Sequence, residues 1–186
     1  MEKTTLSKKG KILESLIGVI LIFIGVVCRL VPHPPNFTPI SAIALFGGVY
    51  FSKKLGLILP VLSLLIGDIF LGFYQLSLML SVYGSFILCV IFGFWLKKHK
   101  KWHTILGGSF FCSILFFIIT NFSFWAFTPW YPKSVGGLIE CYILAIPFFK
   151  NTLSGDLFYV MIFFGIYEMV KLWIRKKFTI SQPMPI

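Results

Sequence analysis

The chain has 186 residues, of which 58% are hydrophobic and only 12% are charged. A water-soluble domain of this size carries roughly 25% charged residues, so composition excludes an ordinary soluble fold and leaves lipid as the natural solvent. The net charge of +11 sits in short lysine blocks beside apolar runs, not interleaved along one polar and aromatic face, which excludes a nucleic-acid groove.

Residues 1–12 read as a basic cytoplasmic tail. The first apolar run, Leu13 to Val31, is long enough to cross a bilayer, for which about 20 residues are needed. It ends in Arg29 and prolines without a small-residue cleavage site, and so reads as an anchor that is retained. The segment Pro32-His33-Pro34-Pro35-Asn36 cannot be helical. Thr38-Pro39 then reads as an N-cap followed by proline at the first helical position. The helix to about Phe51 is some 20 Å long at 1.5 Å per residue, too short to span alone. The proline-rich segment is therefore expected to re-enter the membrane and meet it, buried against protein.

A third span is predicted at Leu55 to Tyr74, bent at Pro60, and a fourth at Leu78 to Leu96. After Lys97-Lys98-His99-Lys100-Lys101 a fifth runs from about Ile105 to Phe127. Leu138 to Phe149 reads as a short helix packed at the outer face, and Leu157 to Ile174 as the sixth span. In Asn151-Thr152-Leu153-Ser154-Gly155-Asp156, Ser154 or Asp156 is placed to cap that last helix. Residues 178–186 form a second cytoplasmic tail. The expected fold is an all-α membrane protein, one six-transmembrane-helix bundle over residues 13–177 with a proline-rich re-entrant loop.

With the amino terminus inside, 14 of the 17 Lys and Arg residues fall in the cytoplasm; only Arg29, Lys133 and Lys150 fall outside. The polar chemistry then gathers outside. Arg29, His33, Asn36, Asp68, Tyr74, Asn121, Trp125, Lys150, Asn151 and Asp156 all lie at or near outer helix ends and form the candidate substrate-binding set. Asp68 is the sharpest of them, because a carboxylate within a span costs roughly 2.5–3.5 kcal/mol unless it finds a partner. Arg29 and Lys150 are the candidate partners, and Asp68 is expected to face the bundle interior. Glu168 and Lys171 read as an i,i+3 pair. Trp125, with Trp130 and Tyr131, also fits an interfacial belt. Cys28 and Cys141 fall near the same face, and their pairing is left open; the four cysteines lack metal-ligand spacing, and no metal or cofactor is expected. No catalytic motif of the His-Glu-x-x-His or Gly-x-Ser-x-Gly kind is present.

The run from Arg29 to Gly48, Asp68-Ile-Phe-Leu-Gly, Val82-Tyr-Gly-Ser-Phe, Thr120-Asn-Phe and Ala145 to Asp156 resemble an uncharacterised family of bacterial membrane proteins named as transport proteins. Size, six-span layout and inside termini are similar to the substrate-binding S components of energy-coupling factor transporters. That resemblance implies a non-enzymatic subunit of the bacterial inner membrane that captures a small molecule, such as a vitamin, in an outward-facing pocket. Its partner would be a transmembrane coupling subunit with ATPases. S components often carry an Ala-x-x-x-Ala run on the first helix, where this chain has only Gly18 and Gly25; its small-residue row, Ser41, Ala44 and Gly48, lies on the second. The rival readings are a structural scaffold that organises membrane partners, and an enzyme acting on a lipid-linked substrate with Asp68 and His33 as acid and base.

Overall fold

A computed structural model describes the backbone of residues 2–180 and the side chains of residues 10–174 and 176. It contains six helices in the order α1 (Glu2–Leu30), α2 (Ile40–Tyr50), α3 (Lys53–Leu71), α4 (Leu76–Leu96), α5 (Trp102–Phe127) and α6 (Val135–Ile180), with no strand among the described residues. All except α2 contain a stretch long and apolar enough to cross a bilayer. The chain is a multi-pass membrane protein, and its largest hydrophobic side chains lie exposed along these helices, where lipid is their solvent.

The shortest helix is the centre of the bundle. Every residue of α2 from Ile40 to Val49 is buried, and it packs against α3, α4, α5 and α6, with a slighter contact to α1. Such all-round burial needs close backbone approach, and glycine provides it. Gly48 of α2 lies on Gly93 of α4, and Gly47 lies on Gly56 of α3, each pair leaving no room for a Cβ. In lipid, helices associate through packing of this kind because hydrocarbon supplies little hydrophobic drive between them.

Neighbouring helices alternate in direction, so the basic blocks fall at one end. There Glu14 accepts the Ser52 backbone N–H, Lys97 donates to the Phe51 carbonyl at 3.3 Å, and Lys100 pairs with Glu168 at 2.5 Å. Tyr50 also donates to Glu168, at 2.7 Å. The expected Glu168–Lys171 pair is present at 3.6 Å but is the outermost member of this network. The proline loop, the α3–α4 turn and the α5–α6 turn lie at the opposite end.

Several expectations are corrected. Residues 2–12 are helical and continuous with the first span. Helix α6 runs on to Ile180, past the expected boundary at 178; residues 181–186 lie outside the described residues. The caps differ too: Pro39, not Thr38, occupies the N-cap of α2, and no side chain caps it.

The largest correction concerns α6, a single helix of 46 residues where a short outer helix and a separate span were expected. Its polar run is satisfied within the helix: Thr152 donates to the Phe148 carbonyl at 2.9 Å and Ser154 to that of Lys150 at 2.8 Å. Its outer arm is inclined. Tyr142 meets Ile118 and Asp156 meets Ser113, so α6 advances about 21 Å while α5 advances about 8 Å. The two helices are inclined to each other there, and Pro147 lies inside this interval.

Candidate functional site

The site follows from the shortness of α2. Its 11 residues rise about 16 Å, while its neighbours have 19 residues or more. The space above its first residue, Ile40, is left unfilled by helix and forms two adjoining chambers at the proline-loop end.

One chamber, of about 300 Å³, is lined by Arg29, His33, Asn36, Thr38, Ile40, Leu64, Leu71 and Tyr74, with Val82, Phe86 and Phe116 behind. The other, of about 270 Å³, lies between α4, α5 and α6. Its polar wall is Ser81, Thr120, Asn121 and Thr152, and its apolar wall includes Phe116, Phe117, Phe124, Phe148 and Phe149. Asn36, Tyr74, Val82 and Phe116 line both chambers and mark where they join.

The proline loop places Asn36 by local rules. The Phe37 N–H donates to the Pro34 carbonyl at 3.0 Å, closing a turn with Pro35 at its second position and Asn36 at its third. Asn36 has φ 64°, a left-handed conformation that asparagine tolerates better than most residues. Phe37 then anchors the loop on α6, against Gly155 and the rings of Phe158 and Tyr159, at 5.8 and 5.7 Å. Only the end of the loop, from Phe37 to the fully buried Pro39, is inserted. Residues 31–36 are exposed, which corrects the expectation that the whole loop is buried. His33 sits on the exposed stretch with Nδ1 2.7 Å from the Val31 carbonyl.

Asp68 faces the bundle interior and is 1% exposed. One oxygen accepts from Arg29 Nη2 at 2.5 Å and the other from the Tyr83 hydroxyl at 2.7 Å. The remaining guanidinium arm donates to the Leu64 carbonyl at 2.9 Å. Gly67 makes room: a Cβ there would lie 3.0 Å from Arg29 Nη1. The pair thus supports the chamber from behind, with Arg29 on its wall and Asp68 beneath it. Lys150, the other candidate partner of Asp68, is exposed and lines neither chamber. In the α3–α4 turn, partial burial and then the Asp68 charge push the Tyr74 hydroxyl up to about 12, so it remains a proton donor.

Of the predicted site residues, Arg29, His33, Asn36, Tyr74 and Asn121 come together on the chamber walls. Trp125, Asn151 and Asp156, like Lys150, do not. Trp125 donates to the Pro132 carbonyl at 2.9 Å, and Lys133 stands 5.6 Å from its ring, so it ties down the α5–α6 turn. Asn151 is half-buried beside Thr152, the residue of that run which reaches the wall. Asp156 lies mid-span rather than at a helix end; its Oδ2 accepts from Ser113 at 2.6 Å, and the Ser41 hydroxyl faces it from the first turn of α2. It therefore lies beside the amino-terminal turn of α2, with hydroxyl partners rather than a cation. Cys28 and Cys141 are both free.

Sequence reasoning did not single out Ser81, Tyr83 or Thr120, and took in Thr152 only as part of the run from Asn151 to Asp156. Hydroxyls inside apolar spans carry little signal singly; only the topology reveals that three helices carry them to one end.

A family model described as "Family of unknown function (DUF6580)" matches residues 10–179. No curated protein and no solved structure matches the chain.

Proposed function

The chain belongs to the DUF6580 family, and on the geometry above we propose that it is a substrate-capture subunit of a transporter, holding a small molecule in the paired chambers above α2. The observation that carries this is the cavity itself. Its walls draw on all six helices and the proline loop, it combines aromatic rings with a few convergent polar groups, and each chamber is near the lower size range of small-molecule sites. In this reading the proline loop and α2 together complete a sixth crossing. The lysine-rich end is cytoplasmic by the positive-inside rule, both termini are inside, and the cavity opens outward across the bacterial inner membrane.

A transmembrane coupling subunit with ATPases is part of the proposal through the resemblance to S components. The small residues do not offer its docking face. Gly18 packs on Leu55 and Leu59, Gly25 on Ser63 and Ile43, and Gly48 on α4, so all three are used inside the bundle. The coupling partner is therefore assigned to the exposed face of α1 and the lysine-rich end.

An enzyme using Asp68 and His33 as acid and base fits less well. Asp68 is enclosed by Arg29 and Tyr83, while His33 is exposed on the loop above. The scaffold reading draws on the Arg29–Asp68–Tyr83 tie, which is structural in any case.

The test is mass spectrometry of small molecules released from the natively extracted protein. The wild type should release a molecule in near-stoichiometric amount, and the His33→Ala/Asn36→Ala double variant should fold but lose it. Release of nothing by the wild type overturns the capture reading.

A further inference from the structure

The chamber between α4, α5 and α6 has a specific hydrogen-bonding polarity. Ser81 donates to the Leu78 carbonyl at 2.7 Å, Thr120 to Phe116 at 2.7 Å, and Thr152 to Phe148 at 2.9 Å. Asn121 directs its amide NH₂ at the Phe117 carbonyl, at 2.8 Å. A hydroxyl has one proton and two lone pairs. The three hydroxyls have therefore given their protons to their own helices and present only acceptors to the cavity. Asn121 is left with its carbonyl oxygen and one N–H. Beyond that N–H, hydrogen-bond donors return only where the chambers join, at Asn36 and Tyr74.

No charged side chain lines this chamber. The nearest guanidinium, Arg29 in the adjoining one, has its charge answered by Asp68 at 2.5 Å. The remaining walls are phenylalanine rings, which take flat faces at offset or edge geometry. An anion would find acceptors and no counter-charge. A cation would gain from the rings less than it loses on leaving water unpaired.

Resting on the capture reading, we infer that this chamber takes an uncharged planar ring compound whose inserted edge carries N–H or O–H donors. Its face lies on the phenylalanines, its donors meet the acceptor oxygens of Ser81, Thr120, Asn121 and Thr152, and an acceptor beside those donors takes the remaining Asn121 N–H.

The experiment is calorimetric titration of the full-length protein in nanodiscs with probes of nearly one size. These are benzimidazol-2-one (neutral, two N–H donors), its N,N′-dimethyl derivative (neutral, no donors), 1,3-dimethylbenzimidazolium (cation) and benzimidazole-5-carboxylate (anion). Benzimidazolone should bind, and the other three should bind at least about tenfold more weakly. Thr120→Val and Asn121→Leu should each weaken benzimidazolone by roughly three- to tenfold while leaving the thermal transition in place. A cation or anion that binds as well as benzimidazolone overturns the inference and leaves capture standing, as does methylation without effect. If no probe binds, the molecules released from the natively extracted protein decide. A neutral donor-bearing ring supports the inference, a charged or donor-free molecule overturns it alone, and release of nothing overturns it together with capture.

Discussion

Gly48 of α2 and Gly93 of α4 touch backbone to backbone: a Cβ built on Gly48 would stand 2.8 Å from the Gly93 Cα. Neither neighbour is a flexible side chain that can swing aside, so a methyl group here has to push two helices apart. Gly48→Ala should cost at least about 2 kcal/mol, in the range of core overpacking. Gly84→Ala and Gly165→Ala, with nothing within 4 Å of the new Cβ, should be neutral or slightly stabilising. Thermal unfolding in detergent, followed by circular dichroism, separates the two classes.

The Arg29–Asp68 pair sets up a double-mutant cycle. Asp68→Leu alone leaves a partly buried guanidinium without its carboxylate and should cost about 3–5 kcal/mol. Replacing both partners, as Arg29→Met/Asp68→Leu, should recover much of that loss, since apolar substitution of a buried pair is often near neutral. Unfolding free energies of the four proteins give the coupling. Additive single effects would show that the two charges are not energetically linked.

Asp156 has hydroxyl partners, which can donate or accept. Asp156→Asn keeps the shape and an acceptor oxygen, and should lower stability by less than about 1 kcal/mol. Asp156→Leu takes a partner from the Ser41 hydroxyl and leaves Ser113 only the Ser109 carbonyl, and should cost about 1–3 kcal/mol. Equal losses for the two variants would mean that the negative charge itself holds α6 to α2.

Orientation is read by labelling. In a variant whose four native cysteines are replaced, Ser134→Cys should react with a membrane-impermeant maleimide on intact cells, and Lys98→Cys only after lysis. The opposite pattern would place the lysine-rich end outside and the cavity inside.

Much of this architecture is legible in the chain because the bilayer imposes simple lengths. The extents of α3, α4 and α5, the shortness of α2 and the inward turn of Asp68 all follow from apolar run length and the cost of a charge in lipid. The α6 helix shows where such reading fails. Asn151 to Asp156 has the composition of a helix start, and in water those side chains would compete for the backbone. Inside the bundle they have better partners. Thr152 and Ser154 bond back to their own helix, Gly155 receives Phe37, and Asp156 reaches Ser113 across to α5. None of these contacts is local enough to be read from spacing. For the same reason Asp156 was expected at the site and lies below it, while Ser81 and Thr120 on the chamber wall went unmarked.

The buried central helix also constrains how the protein is made. At 11 residues, α2 is too short to be accepted by the insertion machinery as a segment of its own, and its surface is complementary to protein on every side. Only Phe51 and Ser52 separate it from α3, and Gly47 and Gly56 already lock the two together near that turn. The two form a helical hairpin, and the other helices that enclose α2, chiefly α4 and α6, come later in the chain. The burial of the second element, and the cavity above it, are thus incomplete without the last helix in the chain.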